Sequence, residues 1–481
     1  MGGGFPQDTM AAVEEKGLDS WFPAERLEEA SAATEEPENM GEARREAYRA
    51  FRALPPEVNP LFRKYSYFGG LDALREVRVQ PRGGPLRLPE AEAGAVLVLH
   101  DPSGSRAVVP DDLVRAGVEV LTPPDLWSHP EDAKYLLEAG EPLREKFRAL
   151  NRALFNRALY LRVPDDLERP VRVKDVSVLG GPQDALVVRR VIRTGRRSRL
   201  LFSEEVYARG RSEGLRLYSS AVHLKPGPDS QVVYLGVHAP DARTVSFYSR
   251  EARVSTNDRL GWIWAGFDGL RTMLRNESHL DAEGSEVEDL QTMYGDGESA
   301  FNNFTEISHE ADDTKGQSIT RGIFKGRSRG TSRGMMRIQA NTRKVVSYLS
   351  EHSMLLSREA RSESVPGMEI LSAKDVRAAH SSAVAPIDPE KVFYLESRGI
   401  DEDRASRMIA EGFLSAVLDR APVDGLREVL YPALDARWSE RSLLWPDEGK
   451  LPTLPPLSIT GWGAIGDWRL DTKLRDTAGR G

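Results

Sequence analysis

The sequence predicts a mainly β chain with helical ends, and three observations predict it. Apolar residues recur at a spacing of two through the middle of the chain, in Val171-Arg-Val-Lys174, Thr244-Val-Ser-Phe-Tyr-Ser249 and Met336-Arg-Ile-Gln339. Turn clusters such as Gly180-Gly181-Pro182 and Pro226-Gly227-Pro228 break these runs. Helical spacing is confined to the two flanks.

Taken in order, residues 41–54 place Ala43, Ala47, Ala50, Phe51 and Leu54 on one helical face among Arg and Glu, and Pro55 with Pro56 stops the run. A second amphipathic helix is expected over residues 142–158, where Leu143, Phe147, Leu150 and Leu154 share a face. Between them, residues 95–99 read as a short buried strand. No long helical stretch interrupts the period-two region that follows. This disfavours alternating β-α-β folds and leaves a sandwich, a barrel or a parallel β-helix. No fixed-length repeat is visible to choose among them. Helical spacing returns near Pro389. Asp401 is placed to cap a helix whose first turn carries Glu402 and Asp403 and whose apolar face is Ala405, Met408, Ile409, Phe413 and Val417. The last forty or so residues are rich in Pro and carry Trp, and are expected to be a loosely ordered tail.

Composition limits what the chain can do. With 481 residues, 40% hydrophobic and 29% charged, it is a folded chain of two to four units, outside the disordered class. A net charge of -8 offers no general attraction to phosphate backbones, which argues against nucleic acid. The N-terminus lacks the features of a signal or transit peptide, and Pro6 stands where myristoylation needs Ser or Thr. No stretch reaches the roughly 18 apolar residues of a membrane span, so the reading is cytoplasmic, with no membrane partner. The absence of cysteine rules out disulfides, Cys-ligated zinc and a thiolate nucleophile within this polypeptide.

Three blocks carry a family likeness. They are ALNRALFNRALYLRVPDDLERPVRV, ISHEADDTKGQSITRGIFKG, and the long VPGMEILSAKDVRAAHSSAVAPIDPEKVFYLESRGIDEDRASRMIAEGF. Together they resemble the SufB/SufD family of iron–sulfur cluster assembly proteins, over about Leu143 to Leu418. The resemblance implies a right-handed parallel β-helix core between N- and C-terminal helical domains. It also implies a scaffold that pairs with a SufB-like paralogue while its C-terminal helices bind a SufC-like ATPase. Where SufB members carry a cysteine after the F-[FY] pair, this chain has Leu395 after Phe393 and Tyr394, which places it on the SufD side. It departs from the usual pattern around the signature histidine, which reads Ala379-His-Ser-Ser-Ala-Val-Ala385, and in the rung Leu349-Ser-Glu-His-Ser-Met-Leu355. The units expected are 1–160, helix-rich; 161–388, the β-helix core; 389–440, the helical candidate for SufC binding; and 441–481, the tail.

The site candidates follow from that likeness. Iron–sulfur clusters are held mainly by thiolates, with histidine nitrogen as a recognised substitute. His380 matches the SufD-side histidine at the SufB–SufD interface, so the resemblance makes it the cluster-assembly residue and a transient iron ligand. Read without the resemblance, a histidine beside an apolar strand is a hydrogen-bonded structural residue. Asp424 is a weaker candidate, at a spacing where SufB-like relatives carry a functional carboxylate, although an acid in a turn after Pro is ordinarily solvated. His309, Glu310, Asp312 and Asp313 offer nitrogen and oxygen donors, but neighbours on a strand face opposite ways, and His309 is read as structural. The arginine-rich stretches 189–199 and 321–337 are read as solvated strand faces. Flavin is left open, since no motif singles out a site for it. No G-x-x-x-x-G-K-[ST] loop exists, so ATP is not expected on this chain. The function expected is a non-catalytic scaffold with a transient Fe–S cluster at a subunit interface. The alternatives are a β-helix enzyme acting on polysaccharide, which needs paired carboxylates, and an interaction protein that keeps the fold without cluster chemistry.

Overall fold

A computed structural model describes residues 21–57, 62, 72–80, 83–88, 92–140, 142–210, 212–267, 269–372, 374–439, 456–462 and 465. The reading of the extreme N-terminus lies outside these residues, as does most of the tail.

The middle of the chain is a parallel β-solenoid of about eight turns, each turn giving one strand to each of two facing sheets. One sheet ends on Lys374–Pro386 and runs back through Arg343–Leu355, Lys315–Phe324, Glu286–Gly295, Arg259–Phe267, Gln231–Ala239, Arg199–Ala208 and Val171–Leu179 to Val96–Asp101. The other ends on Arg361–Ile370 and runs back through six parallel strands to Arg157–Val163. At the opposite, N-terminal end both sheets are closed by antiparallel strands, Gly104–Val108 on one and Glu119–Leu121 on the other. The turns are regular in the middle, where Arg271, Ala300 and Arg329 stack in register at 29-residue intervals. Toward the end the step lengthens, as Arg329 pairs with Arg361 and Lys315 with Val346. This repeat escapes the sequence because the stacked positions hold different residue types.

The helical ends fold back over the two outer faces, which is why most strands are buried on both sides. The N-terminal helices Gly41–Ala53 and Lys146–Leu154 pack with Val187, Leu217, Val245 and Phe247 of one sheet, and Phe147 stacks on Phe247 at 4.3 Å. The second helix is shorter than expected, because the chain turns into strand Arg157–Val163 three residues after Leu154. Glu145 caps it by accepting from the backbone N–H of Phe147 and Arg148. The C-terminal helices Glu402–Leu418 and Leu426–Trp438 cover the other outer face, against Val233, Ile263, Leu290, Ile319 and Ile323. Arg420 ties them down through Glu288 at 3.1 Å, and Arg437 through the Pro240 carbonyl at 2.7 Å.

The arginine stretches correct the sequence reading in part: Arg196, Arg197, Arg199, Arg327 and Arg329 are exposed as expected, and four others are not. Arg189, Arg190, Arg321 and Arg333 are buried. Arg189 donates to the carbonyls of Leu136 and Ala139, satisfying the C-terminus of helix Pro130–Glu138. Arg190 lies between the sheets and bonds Asp175 at 2.6 Å, Ser177 at 3.0 Å and Ser220 at 2.9 Å. Glu204 completes this cluster, accepting from Tyr218, Tyr234 and Arg250. Trp264 donates its indole N–H to His238 Nδ1. The His238 proton therefore sits on Nε2, which faces Glu204 at 3.2 Å. Burial holds His238 at about 4, so it stays neutral.

Candidate functional site

Strand Lys374–Pro386 is the last of its sheet, hydrogen-bonded on one side to Arg343–Leu355 with Leu349 opposite His380, and open on the other. The side that His380 occupies follows from the stack behind it. In register, Trp262, Asp289, Ser318, Leu349 and His380 form one column. Trp262 bonds Ser278 of the facing sheet, and Asp289 accepts from Thr305 of that sheet, so the column lines the interior. His380 is its last member. Its predecessors are buried, whereas His380 is exposed, at the mouth of the solenoid, and it makes no hydrogen bond to another described residue.

The neighbouring position anchors the strand. Ser381 faces outward, is buried, and meets Tyr348 Oη at 3.0 Å and His352 Nε2 at 3.3 Å. One rung behind the mouth, Glu351 lies in the interior column that ends on Ser382. Ser364 Oγ of the facing sheet donates to its carboxylate at 2.5 Å. Burial pushes the Glu351 carboxyl up to about 7, against the opposing pull of that bond and of Arg333. The two last strands and the turn between them expose Met368, Ile370, Leu371 and Val384 beside charged residues such as Arg361, Glu363 and Arg377. Beyond them, helix Pro389–Glu396 holds Phe393 70% and Tyr394 57% exposed.

The other candidates are placed elsewhere. Asp424 is exposed, in a two-residue strand paired with Ser458 and Ile459. Its neighbour Pro422 lies by Gly261. The strand holding Gly261 is four places from the last one in the sheet, about 19 Å at the usual spacing. Asp424 and His380 are therefore not brought together. His309 is buried with both ring nitrogens engaged, Nδ1 with Thr314 at 2.8 Å and Nε2 with Ser347 at 2.9 Å, and burial holds it at about 3. Glu310 turns to His279 and Asp312 to Arg343, so the donors of that segment do not converge. Among the described residues, no group of three or more His, Asp or Glu is arranged to hold a metal ion. Glu351 was within a rung noted for its departure from pattern, but nothing in its own sequence neighbourhood announced a buried carboxyl.

Comparison with known proteins bears on the same residues. The profile described as "SUF system FeS cluster assembly, SufBD core domain" matches residues 178–413, which include most of the solenoid, the mouth and the first C-terminal helices. The chain carries a SufBD core domain. Similar proteins include the iron–sulfur cluster assembly protein SufD of Bacillus subtilis, 24% identical over 63% of this chain and 70% of that protein. A SufBD family protein of Staphylococcus saprophyticus is 21% identical over 58% of this chain and 60% of its own length. One from Mycobacterium leprae is 23% identical over 43% of this chain, which spans about a quarter of that longer protein. Within the SufBD core, His380 lies on the last strand of the solenoid, and the core's end runs into helix Glu402–Leu418. No described helix is long and apolar enough to cross a membrane.

Proposed function

We propose that this chain is a SufD-like scaffold subunit of iron–sulfur cluster assembly, and that the mouth of its solenoid is the face at which a cluster forms against a SufB-like partner. The single observation that carries the reading is the exposure of His380, without a hydrogen-bond partner among the described residues, at an end whose strands are open. A structural histidine is buried with its nitrogens engaged, as His309 is. His380 is the opposite case. The chain has no thiolate to offer, so the iron of a nascent cluster would take the His380 imidazole from this side and thiolate from the partner. The cluster is cargo, and the chain's part is to present a nitrogen donor on a rigid strand fixed by Ser381. Two open edges with exposed apolar side chains are what an end-to-end partner with matching strands would cover. The helices of residues 389–418 are the surface we assign to a SufC-like ATPase, with Phe393 and Tyr394 as its exposed anchors. ATP hydrolysis belongs to that partner, and this subunit is non-catalytic.

The test is His380→Ala, compared with wild type for thermal midpoint, co-purification with SufB-like and SufC-like partners, and cluster yield under anaerobiosis. An exposed side chain without hydrogen bonds leaves stability within about 0.5 kcal/mol when removed, so assembly is expected to be intact and the cluster yield lost. Normal yield would sink the ligand role and favour an interaction protein without cluster chemistry.

A further inference from the structure

The tail was expected to be loosely ordered, yet residues 456–462 are docked. Ile459 pairs with Val423 and Ser458 with Asp424, antiparallel, in the turn between helices Glu402–Leu418 and Leu426–Trp438. The backbone N–H of Thr460 donates to the Pro422 carbonyl at 2.9 Å. Two side chains anchor the segment. Leu457 is buried, and a Cβ on Gly425, which sits at φ +81°, would come within 3.1 Å of its Cδ2. Trp462 packs on Gly261, where a Cβ would stand 2.9 Å from the indole, so glycine leaves room for the ring. Arg259 covers the same ring at 5.7 Å, and its guanidinium is itself fixed by Glu286 at 2.6 Å.

These features make a shaped groove. It has a strand edge to pair with, a pocket for an aliphatic side chain and a glycine-floored socket for an indole, five residues apart along the ligand. Recognition of an extended peptide by main-chain pairing and side-chain pockets is built from the same parts. The hold is light, since the paired stretch is two residues long and Trp462 is only half-buried. We propose that the groove between residues 422–425 and strand Arg259–Phe267 is a docking site for an extended peptide carrying leucine and tryptophan five residues apart, filled in cis by residues 457–462 of this chain. The tether keeps the occupant at an effective concentration of order millimolar, so a peptide in trans must outcompete it. The groove is thereby closed to weak ligands while the tail is seated.

The experiment uses the full chain and a fluorescein-labelled peptide of sequence LSITGW, read by anisotropy. The double variant Leu457→Ala, Trp462→Ala empties the groove and is expected to bind the peptide at least tenfold more tightly than wild type. A peptide with alanine in place of its tryptophan is expected to lose that binding. Adding Gly261→Val to the double variant removes the socket and is expected to do the same, with circular dichroism unchanged as the control on folding. Equal affinity for wild type and the double variant, no binding to the double variant at millimolar peptide, or equal binding of the alanine peptide would each overturn the proposal. The alanine peptide keeps the test decisive if Gly261→Val fails to fold.

Discussion

At the scale of single residues, Glu351 gives the solenoid mouth a pH dependence whose sign is fixed by its surroundings. Its folded-state value, raised to about 7 from an ordinary 4.5, means that the folded protein favours the neutral acid. Stability from this group is therefore full below about 4.5, falls as pH rises, and levels off above about 7. Glu351→Gln keeps an acceptor for Ser364 without the charge. Chemical denaturation at pH 4.5 and pH 8 is expected to show the variant gaining up to roughly 3 kcal/mol on wild type between the two. An unchanged difference would place the carboxyl in a more polar setting. Legibility at this scale was uneven. His309 read correctly as structural, because a donor on a strand beside acids facing other ways has no common centre to share. Glu351 could not be read, because its burial comes from Ser364, from the facing sheet, and from a rung that the sequence does not order.

At the scale of elements, the helix Glu402–Leu418 shows what periodicity settles and what it leaves open. Asp401 caps it as expected, its carboxylate accepting from the backbone N–H of Arg404 at 3.0 Å. Asp401→Ala is expected to cost about 1 kcal/mol of local stability, measured as faster amide exchange in the first turn with the solenoid strands unchanged. The apolar stripe was only half right. Ala405 and Val417 are buried, but Ala410, Leu414 and Leu418 complete the buried face, while Met408 is exposed and Phe413 lies under Arg321 at 5.7 Å. A stripe on a helix wheel is wider than the line of contact, and which edge meets the sheet is decided by docking. The buried arginines make the same point for strands. Alternation marks two faces, but where helices cover the outer face of the solenoid that side is not solvated, so charge there must be paired or bonded to carbonyls.

At the scale of the molecule, the β core and helical flanks were legible in the sequence, whereas the winding was supplied by family resemblance, since the repeat has no recurring residues. The two ends of the solenoid differ. One is closed by antiparallel strands, and the other presents open edges, with Leu371 57% exposed in the turn before the last strand and Val384 39% exposed four residues along that strand from His380. Leu371→Asp with Val384→Asp is expected to leave circular dichroism and thermal midpoint as in wild type and to weaken co-purification with a SufB-like partner at least tenfold, since like apolar faces no longer meet. Retained association would move the interface to the outer faces. The 29-residue register of the middle turns has a consequence for how such a chain can change length. A single-residue insertion inside a strand flips the later side chains of that strand between interior and exterior, whereas loss of residues 271–299 would remove one strand from each sheet and let Ala300 take the place of Arg271. Growth and shortening of this core are thus quantised. The distance between its closed end and its open mouth is counted in whole turns of about 4.8 Å, and an evolving lineage can tune that reach only in such steps.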